Sequence, residues 1–195
     1  LEDQTEPRLG KVPVPEPPAN RYYAEMERFL GHYLKNGATT PLEAPGRVLL
    51  HVMGSNQWRY EQEWPLSRAM TTPLYLSSGG NANTDQGDGL LSWEPPAQQA
   101  SDHYSYNPLE PIRSVEGVTI WNLFTDGQFG DRAAIESRSD VLVYSTPVLE
   151  HDLEVTGTIE AVLHAASSAP DTDFVINLID VYPDGHTQYL CNGVM

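Results

Sequence analysis

The feature that most limits what this chain can fold into is a run of alternating side chains near its C-terminal end. Leu153, Val155, Gly157, Ile159, Ala161, Leu163 and Ala165 share one parity; Glu154, Thr156, Thr158, Glu160 and His164 share the other. A period of two puts each set on its own face of an extended backbone. The spacing therefore predicts a half-buried β-strand, apolar inward and polar outward.

Two neighbouring stretches have a different pattern. Ser139 to Thr146 (Val141, Leu142, Val143, Tyr144) and Thr172 to Tyr182 (Phe174, Val175, Ile176, Leu178, Ile179, Val181) carry apolar residues on both parities. Such strands are expected where both faces are covered, as in a sandwich. Ser168-Ala169-Pro170-Asp171 and Pro183-Asp184-Gly185 supply the turns between them, proline presetting φ and glycine accepting a positive one. The chain from Arg138 onward thus reads as a mainly-β, antiparallel Greek-key or jelly-roll β-sandwich. With no capping tail after Leu190 to Met195, the sandwich reads as cut short within a longer polypeptide.

Upstream the character changes. Leu1 to Ala19 is rich in proline and charge and reads as an extended linker. Asn20 is placed to cap a helix in which Tyr22, Met26, Phe29, Leu30, Tyr33 and Leu34 form one apolar stripe, with Lys35 and Gly37 at its end. Arg47 to Met53 follows as a short, nearly unbroken apolar run, expected to be a buried strand with both faces covered. Helix followed by buried strand is a unit of an α/β sheet. Residues 1–65 are therefore expected to be linker, helix and strand from the tail of an α/β domain, and residues 66–195 the β-sandwich. Within the latter, Pro73 to Ser78 offers a first strand, Gly79 to Gly89 a polar loop, Leu90 to Trp93 at most a short strand, and Pro95 to Pro111 a loop without period. Gly117 to Phe124 is apolar enough to be buried.

Composition narrows the function classes. A formal charge of −16 argues against nucleic acid and anionic membrane as partners, since both need clustered Lys and Arg. Cys191 stands alone, so it can neither close an internal disulfide nor build a thiolate metal site, and inside an apparent strand it reads as a small core residue. No run approaches the roughly 20 apolar residues of a membrane-spanning helix. The 16 prolines and 15 glycines among 195 residues imply extensive loop.

No self-contained catalytic motif occurs: Gly-x-Ser-x-Gly, the P-loop, the dinucleotide fingerprint and His-Glu-x-x-His are all missing. His32, His51, His103, His151, His164 and His186 are too far apart to form a local metal clasp. The oxygen-rich loop from Asn81 to Gly89 resembles a calcium loop, but its spacing misses the twelve-residue pattern and no glutamate closes it, so a polar turn is preferred. Asp173 and Asp180 bracket a strand on opposite faces and are expected to be hydrogen-bonded at its ends. Trp58 and Trp64, with Arg59 close by, are the candidate interdomain or cleft-lining residues. They could line a substrate cleft or stack on a sugar, and the preferred role is interdomain packing with Arg59 paired to a carboxylate. Neither a cofactor nor a metal is expected.

Four segments occur in order: Ser139-Asp140-Val141-Leu142-Val143-Tyr144-Ser145-Thr146, Asp152-Leu153-Glu154-Val155-Thr156-Gly157, Ala169-Pro170-Asp171-Thr172-Asp173-Phe174 and Asp180-Val181-Tyr182-Pro183-Asp184-Gly185. Together they resemble the C-terminal domain of the X-Pro dipeptidyl-peptidase and cocaine esterase (CocE/NonD) family of serine hydrolases. Val52-Met53-Gly54, Trp58-Arg59 and Glu63-Trp64-Pro65 are similar to that family's exit from its hydrolase sheet, and the Tyr22 to Leu34 helix to its last hydrolase helix. The resemblance implies a Ser-Asp-His triad in an upstream α/β-hydrolase domain, with this chain a non-catalytic buttress packed against it. It also implies a small acyl, ester or peptide substrate, and an acyl-cleaving activity to which no residue here contributes catalytically. The family's catalytic histidine precedes its last helix, and this chain has no histidine before His32, so no triad member is assigned here. Missing partner strands imply exposed edges and self-association into a homo-oligomer. A carbohydrate-binding module and a purely structural or interface module are the alternative readings, and the compartment is left open.

Overall fold

The computed structural model describes residues 8–9, 12–13, 21–34, 48–112 and 132–195. The expected linker (in large part), the Asn20 cap, the Lys35–Gly37 helix end and the apolar stretch Gly117 to Phe124 lie outside the described residues. Described elements, in order, are β1 (Arg8–Leu9), β2 (Val12–Pro13), α1 (Arg21–Leu34), β3 (Val48–Val52), β4 (Gln57–Glu61), β5 (Tyr75–Ser77), β6 (Leu90–Ser92), the single turn α2 (Ala133–Glu136), β7 (Val175–Val181) and β8 (Thr187–Val194). The strands form four two-stranded antiparallel sheets, each joining consecutive strands. The chain is mainly β and antiparallel, as its sequence implies. It divides into two compact units: one is built mainly from residues 1–69, the other mainly from 70–195.

In the first unit, α1 is amphipathic. Phe29 and Tyr33, one turn apart, stack with ring centroids 4.7 Å apart, and Arg28 pairs with Glu25 at 2.8 Å. His32 lies in the last turn, the end of a helix that favours a proton donor. The apolar stripe is nevertheless exposed, Phe29 at 53% and Tyr33 at 63%.

β3 and β4 make a hairpin with Val48 opposite Glu61 and Val52 opposite Gln57. Its reversal at 53–56 needs left-handed backbone at Gly54 (φ 80°) and Asn56 (φ 55°), which glycine and asparagine tolerate best. β3 is half-buried along its length and its ladder is antiparallel. Cover on both faces is therefore partial, and the strand's hydrogen-bonding partner is the next segment of chain. An apolar run of five residues cannot distinguish a buried sheet strand from one arm of a hairpin.

In the second unit, β5 and β6 pair from Tyr75 opposite Ser92 to Ser77 opposite Leu90, spanning a long intervening loop. The expected strand Ser139 to Thr146 is an extended strap. Val143 N donates to Ala82 O (2.8 Å) and Thr84 N to Val141 O (2.9 Å). Leu91 N donates to Ser145 O (2.9 Å), and Ser145 N to Gly89 O (3.2 Å). The strap thus bonds both arms of the loop, giving isolated bridges in place of a ladder.

β7 and β8 form the long hairpin expected around Pro183-Asp184-Gly185, with Gly185 at φ 86° and Gly185 N donating to Tyr182 O (2.9 Å). The register shifts between Leu178 and Ile179, leaving Leu190 as the extra residue of a bulge. Ile176, Leu178 and Ile179 are half-buried, whereas Val175 and Val181 are exposed, so cover on both faces is partial. Arg132 ties α2 to β8: its N–H donates to Thr187 Oγ1 (2.9 Å) and its guanidinium lies 5.5 Å from the Tyr189 ring centre.

The expected strand Leu153 to Ala165 is absent. This segment has no ladder, and Leu153, Val155 and Ile159 are exposed at 49%, 62% and 52%. An alternating pattern states only which side chains a strand would bury. The strand itself forms when a neighbour satisfies its N–H and C=O groups, and no described segment pairs with this one.

Candidate functional site

Trp58, Arg59 and Trp64 all fall in the first unit, but β4 separates two of them. Trp58 stands opposite His51 and Arg59 opposite Leu50, so successive residues put the indole and the guanidinium on opposite faces of the hairpin. The Trp58 and His51 rings stack at 5.1 Å, and His51 Nε2 lies 3.1 Å from Asn56 Oδ1, which ties the aromatic pair to the turn. On the other face Arg59 Nε donates to Glu61 Oε1 at 2.6 Å, the carboxylate pairing its sequence position suggests. Arg68 grips both oxygens of the same carboxylate. The bidentate Arg68 contact, with help from Arg59 and against the cost of burial, holds Glu61 below its ordinary pKa. Trp64 lies beyond β4 in the following bend and is half-exposed. The register thus places Trp58 and Arg59 on opposite faces of the β3–β4 hairpin.

The densest polar constellation lies in the second unit, around Asp102. Oδ2 accepts hydrogen bonds from Ser78 Oγ (2.6 Å) and Tyr144 Oη (2.7 Å), and Oδ1 accepts one from Ala82 N (2.8 Å). One carboxylate thus joins the end of β5, the loop after it, and the strap. Asp88 repeats the device beside it, accepting from Gly79 N (3.0 Å) and Asn81 N (3.2 Å). Asn83 Nδ2 donates to His103 O and Ser139 O, and so joins the loop to the Asp102–His103 segment and to the start of the strap. Glycine is required at two points: a Cβ on Gly87 would overlap Asn81 O, and one on Gly89 would overlap Val143 O.

The electrostatics follow from this geometry. Burial disfavours the Asp102 charge, but the Ser78, Ala82 and Tyr144 donors outweigh it and hold the pKa below its ordinary value. The Tyr144 hydroxyl is pushed well above the phenol range, first by burial and then by the carboxylate it donates to. A carboxylate saturated with donors is a poor base, and a phenol in that state does not ionise. Nearby, Arg138 holds Asp140 bidentately (2.6 and 2.7 Å) and donates to Glu110 O, lowering the Asp140 pKa. The chemistry available here is positional, a set of clamps on loops.

The oxygen-rich loop behaves as a turn. Asp88 caps backbone N–H groups, and Asp85 accepts from Gln86 Nε2. No three His, Cys, Asp or Glu side chains among the described residues converge as metal ligands. Sequence reasoning missed Asp102 because its partners lie 20 to 42 residues away and the loop around it has no period.

The sequence of this chain matches those of known proteins. Residues 41–195 match the family model described as the X-Pro dipeptidyl-peptidase C-terminal non-catalytic domain. The chain belongs to that family. Over 167 residues, 86% of the chain, it is 43% identical to a Rhodococcus protein named cocaine esterase, of which the match covers 29%. It is 29% identical over 173 residues to proteins named as serine esterases from Mycobacterium bovis and Mycobacterium tuberculosis, covering 25% of each. The chain thus spans less than a third of the curated relatives it matches. As an X-Pro dipeptidyl-peptidase C-terminal domain it is non-catalytic by family.

Proposed function

We propose that this chain is the non-catalytic C-terminal part of a serine hydrolase acting on esters or related acyl groups, and that it buttresses an α/β-hydrolase domain of the same polypeptide. The family match over residues 41–195 carries this reading. The esterase names of its relatives supply the substrate class. The exposed stripe of Met26, Phe29, Leu30 and Tyr33 on α1 supports it, because an amphipathic helix is stabilised by burying such a face. We assign that stripe, with the half-exposed indoles of Trp58 and Trp64, to packing against the catalytic domain. Arg59, held by Glu61, stiffens the hairpin that carries Trp58. The division between hydrolase tail and β-domain expected at residue 65 lies close to the change of compact unit at Ala69 and Met70, while the family match takes in the β3–β4 hairpin as well.

Hydrolysis of p-nitrophenyl acetate tests the proposal. The chain alone should show no turnover above a buffer blank, and the polypeptide carrying it with its upstream hydrolase domain should show turnover that a serine-directed inhibitor abolishes. Inhibitor-sensitive turnover by the chain alone would overturn the reading.

A further inference from the structure

We draw no further inference here: the strongest candidate, the apolar groove beside β6 lined by Leu90, Trp93, Pro147, Val148 and Leu149, is an unpartnered face and nothing in the structure shows what covers it.

Discussion

Two stretches between Met70 and Met195 invert what their sequences suggest. The loop from Ser78 to Gly89 has no hydrophobic period, yet carboxylates and backbone hydrogen bonds pin it on several sides. The stretch from Pro147 to Val162 contains the clearest strand pattern in the chain, yet forms no ladder, and Val148 is 94% exposed. Order in this domain therefore follows satisfied polar groups more closely than apolar alternation. A buried N–H or carboxylate must find its partner locally or at long range, whereas an alternating face stays open until something covers it.

Removing the centre of the clamps should give the largest effect on this contrast. Asp102→Ala leaves Ser78, Tyr144 and the Ala82 amide without their acceptor, and should cost about 2–4 kcal/mol in urea unfolding. An unchanged midpoint would mean that the carboxylate contributes nothing to the loop's order. The same group sets a pH dependence. Its pKa is depressed in the folded state, so its contribution is complete above the ordinary value of 3.8 and is lost as pH falls through the folded pKa. Asp102→Asn should reduce the acid limb of the stability profile, leaving the slope from Asp140 and Glu61, whose pKa values are lowered in the same direction.

Amide exchange sharpens the comparison directly. The hydrogen-bonded amides of Thr84, Leu91, Val143 and Ser145 should exchange at least about 100-fold more slowly than those of Val148, Leu149 and Val162, since exchange tracks local opening. Similar rates in both sets would erase the distinction. Tyr144→Phe removes one donor and keeps the ring, so it should cost about 1.5 kcal/mol, visible as a lower melting temperature.

Two smaller effects bracket zero. Thr84 sits at φ 69°, where a β-branched residue is strained, and its N–H donates to the strap. Thr84→Asn, which tolerates that conformation, should stabilise the domain by about 0.5–1 kcal/mol, and a loss of stability would show that the threonine is not strained there. Val155→Ser, on the open face, should change unfolding by less than about 0.5 kcal/mol. A loss several times larger would place Val155 in a core.

The parts of the fold legible in sequence are those where local chemistry suffices. Pro183-Asp184-Gly185 marks the β7–β8 turn because glycine alone enters φ 86° without cost, and the α1 stripe is plain from its helical spacing. The carboxylate paired with Arg59 could be foreseen because Glu61 is two residues away on the same face of β4. Asp102 could not, since nothing in Asp102-His103-Tyr104 signals that Ser78 and Tyr144 will meet there. Nor could the separation of Trp58 from Arg59, which requires knowing that β4 is extended and paired.

By itself, then, the amino-acid order determined where the chain turns, which faces are apolar, that the body is antiparallel β, and which family its motifs resemble. Tertiary structure alone decided which extended segments gained hydrogen-bonding neighbours and which carboxylate became the hub. The reason is physical: φ preferences and side-chain parity act within a few residues, whereas pairing and hydrogen-bond satisfaction depend on groups brought together from tens of residues away.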